Sequence, residues 1–238
     1  MQSNPDLLST LSANPWFGSL PLRERRAMLA ASERVRVQPG EMLFRQGDKV
    51  PPGRGAFYGL LSGRFKISSL REDGKEAILA VLEAGNWFGE ISLLDQLPRT
   101  HDATALMASE VLLLGRASFD ALMQRHAFAH AVCRMLAART RSLYGMVEDA
   151  TLRSVRARVA RRLVLLARGD ATQAPDVRPV VPVSQESLAM MLGVTRQTLS
   201  KELRVLAAAG AIASRYGRIE IVSIMALERL ATDTVGAA

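Results

Sequence analysis

Residues 87–103 read WFGEISLLDQLPRTHDA. Trp87 and Phe88 lead into Gly89 and Glu90, a short apolar run follows from Ile91 to Leu94, and an exposed Arg99-Thr100 pair is expected ten residues after the glycine. Each residue type has a chemical use at that spacing. Gly89 lets the backbone approach a ligand closely. The amides that follow, those of Ile91 and Ser92, open a helical turn whose N-terminus carries positive partial charge, an environment suited to a phosphate. Glu90 can accept a hydrogen bond from a ribose hydroxyl, Arg99 supplies a permanent cation with forked donors, and Thr100 adds a hydroxyl. Together they fit a cyclic phosphodiester on a ribose. A second reading stays open, in which Glu90 and Arg99 form a structural ion pair that holds a strand-to-helix turn and binds nothing.

The stretch lies inside a region of β character. From Val35 to Leu114, Gly and Pro punctuate short β-prone runs: Val35 to Val37, Met42 to Phe44, Phe57 to Leu61, Phe65 to Ile67, Ala77 to Leu82 and Val111 to Leu114. Asp73-Gly74 and Ser62-Gly63 have hairpin-turn chemistry. Regularly spaced short strands with turn signals predict an all-β sandwich or roll. Before it come two helix-like stretches, Leu7 to Leu11 and Pro21 to Ser32.

After Phe119 the pattern becomes helical. Up to Arg168 there is no proline and a single glycine, Gly145, while Ala, Leu, Arg and Met abound. Ala129, Val132, Leu136, Thr140, Leu143, Val147 and Ala150 recur at steps of three and four, a seam of coiled-coil type that must be buried, either on the chain's own β domain or, the better fit, against a symmetric partner helix. Gly169 to Pro182 reads as a loop. Two short helices follow: Ser184 can cap the first, Gly193 ends it, and Thr195 can cap the second, whose Leu199, Leu203 and Leu206 share a face. A glycine in the short turn between two amphipathic helices marks a helix-turn-helix. Ile212 and the run Arg218 to Val222, joined across Tyr216-Gly217, add a two-stranded wing.

Composition narrows the function classes. The 238-residue chain is 48% hydrophobic and 23% charged, ordinary globular chemistry, and no apolar run approaches membrane-spanning length. With no secretory signal visible, the expected location is the cytoplasm. Cys133 is the sole cysteine, which excludes an intrachain disulfide or a cysteine-rich metal site within one chain, and it is expected to be a small buried hydrophobe. The net charge of +8 is uneven: residues 1–133 hold 15 Lys+Arg against 14 Asp+Glu, and residues 134–238 hold 16 against 9. A positive second half suits a polyanion such as nucleic acid.

A β roll, a long helix and a winged helix-turn-helix in that order make the chain resemble, over about residues 15–225, the Crp/Fnr family of bacterial transcription regulators. FGEISLLDQLPRT looks like the phosphate-binding cassette of cyclic-nucleotide-binding domains. The resemblance implies an α+β protein with a jelly-roll-like N-terminal β roll (1–125), a dimerisation helix (126–151) and a C-terminal winged helix-turn-helix domain (152–238). It implies a homodimer, double-stranded DNA and RNA polymerase as partners, and a cyclic nucleotide, cyclic AMP or cyclic di-GMP, as effector, with no metal and no membrane. Its ligand contacts would come from Gly89, Glu90, Ile91, Ser92, Arg99, Thr100, His101, Asp102 and Tyr144. Two departures leave the nucleotide's identity open. Leu143-Tyr144 stands where cyclic-AMP-responsive relatives carry a Thr-Ser pair on the dimer helix, and His101-Asp102 replaces small apolar residues. These two polar residues suit a larger or guanine-containing ligand, or bond locally within a loop.

The resemblance assigns the second helix of the helix-turn-helix to the major groove. There Arg196 suits guanine, Gln197 adenine, and Lys201 guanine or phosphate, with Ser200 beside them. Thr195, Thr198, Arg215, Tyr216 and Arg218 are expected at phosphates. Gln197 and Lys201 stand where the best-known activators carry Glu and Arg, so a different operator is expected. Ligand is expected to act through the long helix on a hinge near Asp149 to Arg153. The competing classes are a ligand-independent dimeric DNA-binding regulator and, more remotely, a cupin-like metalloenzyme. For the latter, His101, His126 and His130 do not make a strand-borne cluster.

Overall fold

The computed structural model describes residues 4–50, 55–170 and 177–232, which divide into two compact units, Met1–Arg139 and Thr140–Ala238. Among the described residues no helix is long and apolar enough to cross a membrane.

The first unit begins with three helices, α1 (Asn4–Ser12), α2 (Pro15–Ser19) and α3 (Leu22–Ala30). The second of these had no counterpart in the sequence reading. Its cause is local: Asn14 caps it by accepting from Trp16 N and Phe17 N, and Pro15 occupies the first turn, where its missing N–H costs nothing. Eight strands follow: β1 (Ser32–Val37), β2 (Met42–Phe44), β3 (Ala56–Ser62), β4 (Arg64–Leu70), β5 (Glu76–Glu83), β6 (Trp87–Phe88), β7 (Asp102–Ala105) and β8 (Ser109–Gly115), with the single-turn helix α4 (Ile91–Leu94) between β6 and β7. They form two antiparallel four-stranded sheets, ordered β1-β8-β3-β6 and β2-β7-β4-β5. Strands β6 and β7 were not anticipated. They are short, and their identity comes from the partners they find, Tyr58↔Phe88 for β6 and Ser68↔Asp102 for β7.

Asp73-Gly74 does make the expected hairpin, joining β4 to β5 with Gly74 at φ +79°. Ser62-Gly63 does not: β3 and β4 belong to different sheets, so the glycine, at φ +91°, turns a corner. A Cβ there would lie 2.7 Å from Ser109 Cα.

β3 is buried along almost its whole length because both its faces are covered. Successive side chains point to opposite sides. Phe57 and Leu61 enter one core with Leu11, Phe17, Met28, Trp87, Phe119, Phe128 and Val132, under the helices. Tyr58 and Leu60 enter the other with Phe65, Leu82, Phe88, Ala103 and Val111, between the sheets. Trp16, Phe17, Phe57, Trp87, Phe119 and Phe128 make a continuous aromatic cluster, with Phe17 stacked on Trp87 at 5.6 Å between ring centroids. Trp16 Nε1 donates to Ala131 O at 2.7 Å.

Helix α5 (Arg116–Met123) leads to α6 (His126–Leu152). Phe128, Ala131, Val132 and Met135 of α6 are buried. The seam read from sequence therefore divides: Val132 is core, whereas Leu143 and Val147 are 61% and 64% exposed. Cys133 corrects an expectation, because it is exposed. Val132 occupies the core-facing position, and the next residue lies about 100° further round the helix.

In the second unit, α7 (Val155–Ala167) is capped by Ser154, which accepts from Ala157 N. At the corner before it, Arg153 Nε and Arg161 Nε both pair with the Asp149 carboxylate at 2.6 Å, and Arg153 Nη1 donates to Ala231 O at 2.7 Å. Then come β9 (Val180–Val181), α8 (Gln185–Leu192), α9 (Arg196–Ala208), β10 (Ile212–Arg215), β11 (Arg218–Ile221) and α10 (Ile224–Leu230). The wing sheet has three strands, ordered β10-β11-β9, rather than two. The extra strand lies in the stretch read as a loop, of which residues 171–176 fall outside the described ones. Ala160, Leu163, Leu188, Leu199, Leu203, Leu206, Ile219 and Leu227 form its core. Truncating one of these leucines to Ala is expected to cost about 2–5 kcal/mol. Arg162 and Asp170 make a buried bidentate ion pair, both bonds 2.9 Å.

Candidate functional site

β6 delivers Gly89 at the end of the aromatic pair, with φ +93°. A Cβ there would meet Ala56 O and the Tyr58 ring at 3.0 Å, so both conformation and space demand glycine. Glu90 then starts α4, its carbonyl accepting from Leu93 N and Leu94 N at 3.0 Å. The amides of Ile91 and Ser92 fall in the first turn of α4, where N–H groups have no intrahelical acceptor.

Glu90 is 1% exposed. Arg139 Nη1 donates to its Oε1, and Arg139 Nη2 to Trp87 O. The other carboxylate oxygen, Oε2, is buried and has no hydrogen-bond partner among the described residues. A buried acceptor left unmatched is costly, of order 1–3 kcal/mol or more.

Arg99 corrects the expectation of an exposed pair: it is 6% exposed, while Thr100 alone faces solvent. The segment is held against the turn after β2, with Arg99 N donating to Asp48 O (2.9 Å) and Arg99 O accepting from Gly47 N (2.8 Å). Its guanidinium carbon lies 4.3 Å from the Phe44 ring centroid, and Nη1 donates to Gly89 O at 2.8 Å. Among the described residues no carboxylate lies within 4.0 Å of this cation. The ion pair between Glu90 and Arg99 considered from the sequence is thus not formed; Arg139 takes that place. Burial pushes the Arg99 pKa down, opposed by Tyr58, Glu90 and Asp48. Burial likewise raises the Tyr58 hydroxyl, opposed by Arg99. Tyr58 stacks on Phe88 with 5.5 Å between centroids.

Ser92, His101 and Asp102 have hydrogen-bond partners within the first unit, and that of Asp102 is not local, since Gln46 stands 56 positions earlier. Ser92 Oγ donates to Pro98 O at 3.3 Å. Asp102 is buried at the start of β7, its Oδ1 accepting from Gln46 N at 2.7 Å. His101 is half-buried, with Nδ1 2.8 Å from Thr100 Oγ1. Burial pushes the imidazole down and Asp102 opposes this. Tyr144, the candidate ligand contact on the long helix, lies in the second unit and is exposed. Among the described residues no group of three or more His, Cys, Asp and Glu is placed to hold a metal.

The clamp's unanticipated members are Arg139, Phe44 and Tyr58. Arg139 carried a legible signal, since it follows Phe128, Val132 and Met135 at helical steps and is an arginine on a core-facing stripe. Phe44 and Tyr58 had none.

In the second unit, Ser184 caps α8 by accepting from Ser187 N, Gly193 ends it at φ +63°, and Thr195 caps α9 by accepting from Thr198 N at 3.1 Å. Leu199, Leu203 and Leu206 are buried, which turns the other side of α9 to solvent. Arg196, Gln197 and Lys201 are exposed, and Ser200 and Thr198 partly so. Neither Arg196 nor Lys201 has an ion pair among the described residues. At about 100° per residue, Gln197 and Lys201 stand opposite the leucines and Arg196 at the flank. Arg204, also exposed, continues their stripe and was missed, although its spacing of seven from Gln197 would have found it. On the wing, Arg215 and Arg218 share Glu220 at 3.5 and 3.4 Å, and Tyr216 is fully exposed at the hairpin tip.

Comparison with known proteins matches residues 34–126 to the cyclic nucleotide-binding domain family and residues 157–230 to the Crp-like helix-turn-helix domain family. The Cyclic AMP receptor protein of Thermus thermophilus is 31% identical over 222 residues, 93% of this chain and 98% of that one. The CRP-like cAMP-activated global transcriptional regulator of Mycobacterium tuberculosis is 31% identical over 166 residues, 69% and 72% of the two chains. Among solved structures, TTHB099, a CRP-family transcriptional regulator from T. thermophilus, superposes with TM-score 0.66 at 29% identity, covering 86% of this chain and all of that one. FixK2 from Bradyrhizobium japonicum shares the fold, with TM-score 0.71 at 21% identity over 87% of this chain and 99% of that one. The Mycobacterium relative and TTHB099 are named as transcription regulators, which sets the metalloenzyme alternative aside. With a cyclic nucleotide-binding domain ahead of a Crp-like helix-turn-helix, the chain belongs to the Crp/Fnr family of transcription regulators.

Proposed function

We propose that this regulator is a cytoplasmic homodimer whose binding to specific DNA is controlled by a cyclic nucleotide, cyclic AMP or cyclic di-GMP, held by residues 89–102. The observation that carries the reading is the pairing of a buried arginine without a carboxylate partner and a buried glutamate oxygen without a donor, in one clamp. Arg99 and Thr100, with the Ile91 and Ser92 amides, would take the cyclic phosphate, and Glu90 Oε2 the ribose hydroxyl. The names of the Thermus and Mycobacterium relatives refer to cyclic AMP, which favours that ligand. His101, Asp102 and Tyr144 are the residues by which a different base would be read. Residues 1–125 would sense, 126–151 dimerise and 152–238 bind DNA, with RNA polymerase as the onward partner.

Dimerisation is supported by the exposed apolar stripe of α6, where Leu143 and Val147 have no cover. An unpaired stripe of this kind favours a second copy of the helix. The ligand's effect would reach α6 through Arg139, which bonds Glu90, and would change the separation of two recognition helices that must sit about one DNA turn apart. Arg196, Gln197, Ser200 and Lys201 would read bases, with Thr195, Thr198, Arg215 and Arg218 at phosphates.

Isothermal titration calorimetry with cyclic AMP, cyclic GMP and cyclic di-GMP tests the effector. Saturable heat that disappears in Arg99→Ala supports the clamp. Heat from none of the three favours the second reading, a ligand-independent dimeric regulator, to which the self-contained bonds Arg139 to Glu90 and Arg99 to Gly89 O lend support. Sedimentation of Leu143→Glu/Val147→Glu tests the dimer: a monomer is expected, and an unchanged mass would place the interface elsewhere.

A further inference from the structure

We propose that His101 is a positioning residue for the clamp: by bonding Thr100 it decides whether the Thr100 hydroxyl hydrogen is available to a bound phosphate, and so ties ligand affinity to the protonation of its own ring. The inference rests on the cyclic-nucleotide reading above and adds its regulation.

The argument starts from one contact, Thr100 Oγ1 to His101 Nδ1 at 2.8 Å. A hydroxyl has one hydrogen to give, and a neutral imidazole has one nitrogen that donates and one that accepts. When the ring carries its proton on Nε2, Nδ1 is the acceptor and takes the threonine's hydrogen. Thr100 Oγ1 can then only accept, and two acceptors, the hydroxyl oxygen and a phosphate oxygen, do not bond. When the ring is protonated, Nδ1–H donates instead. The hydroxyl hydrogen is released toward the phosphate, and a positive charge stands two residues from Arg99. Both changes favour an anion.

The charged surroundings of the ring are few. On its own segment stand Arg99, the buried cation, and Asp102, whose carboxylate favours the protonated ring. The turn after β2 packs on that segment through Gln46 N to Asp102 Oδ1 and Gly47 N to Arg99 O, and it brings Arg45 and Asp48. β4, whose Ser68 stands opposite Asp102, brings Lys66, already paired with Glu76. Burial outweighs Asp102 and holds the free ring below the ordinary histidine range. A bound phosphate reverses the balance and raises it. By linkage, ligand binding takes up a proton, and affinity climbs as pH falls from the ligand-bound value toward the lower ligand-free one.

The test is calorimetry of the full-length protein with cyclic AMP and cyclic di-GMP at about pH 5.5 and about pH 8, in buffers of different ionisation enthalpy. The expected result is tighter binding at the lower pH, by about tenfold for each unit by which ligand raises the ring, with proton uptake on binding. His101→Asn should flatten the profile. Thr100→Val should remove most of the pH dependence and Thr100→Ser restore it. Equal affinity at both pH values, or a pH profile unchanged in Thr100→Val, overturns the proposal while leaving the nucleotide reading in place. Absence of binding at either pH overturns both.

Discussion

The guanidinium of Arg139, midway along α6, donates to the carboxylate of Glu90, a residue 49 positions earlier in the chain. One end of that carboxylate is thereby fixed and the other left open. Replacing Arg139 by Ala strands a buried charge. Because Arg139 is itself partly exposed, the expected loss of stability is about 1–3 kcal/mol, below the full penalty for a buried pair. Urea denaturation measures it, and adding Glu90→Gln to Arg139→Ala should recover part of the loss.

Gly89→Ala forces a left-handed conformation on a residue with a side chain and presses its Cβ on Ala56 O and Tyr58. A destabilisation of about 1–3 kcal/mol is expected. Thermal denaturation should show it, and calorimetry should show nucleotide binding weakened further than in Gly74→Ala, a left-handed glycine with open space around it.

Glu76 supplies a pH-dependent contribution of its own. Burial alone would raise its pKa, but the hydrogen bond and positive charge of Lys66 override it and leave the carboxyl below its usual value. A depressed carboxylate contributes stability that is present above the unfolded-state pKa and lost as pH falls through the folded one. The stability difference between wild type and Glu76→Gln, measured by denaturant titration, is therefore expected at neutral pH and should vanish in strong acid.

The two kinds of arginine on α9 should separate in DNA binding. Arg196→Ala is expected to cost about 1–3 kcal/mol at one operator position and to relax specificity there. Arg204→Ala should weaken all sequences alike and reduce the salt slope by about one. Fluorescence anisotropy on operator variants across salt concentration distinguishes them, and a sequence-dependent loss for Arg204 would make it a base reader.

What could be read from the sequence was what is local. Caps at Ser184 and Thr195, the break at Gly193, the leucine face of α9 and the Gly89–Glu90 turn each depend on neighbours a few residues away, and each is found where spacing put it. What escaped was set by distant partners. β6 and β9 are two residues long and exist because Tyr58, Gly59 and Ile219 pair with them. Ser62-Gly63 has the chemistry of a hairpin, yet sheet assignment is a tertiary property and the chain crosses sheets there. Arg99 was expected in solvent because charged residues usually are; its burial depends on Phe44 and the Asp48 turn, neither adjacent in sequence. Cys133 was judged by residue type, and helix phase overruled it.

The aromatic cluster gives the protein a built-in optical asymmetry. The chain has two tryptophans, Trp16 and Trp87, and their indoles lie 6.1 Å apart in the first unit. Indole emission therefore comes from that unit alone, and melting of the second is invisible to it while still registering in far-ultraviolet circular dichroism. The two traces, recorded in one heating scan, separate the unfolding of the first unit from that of the second without any label.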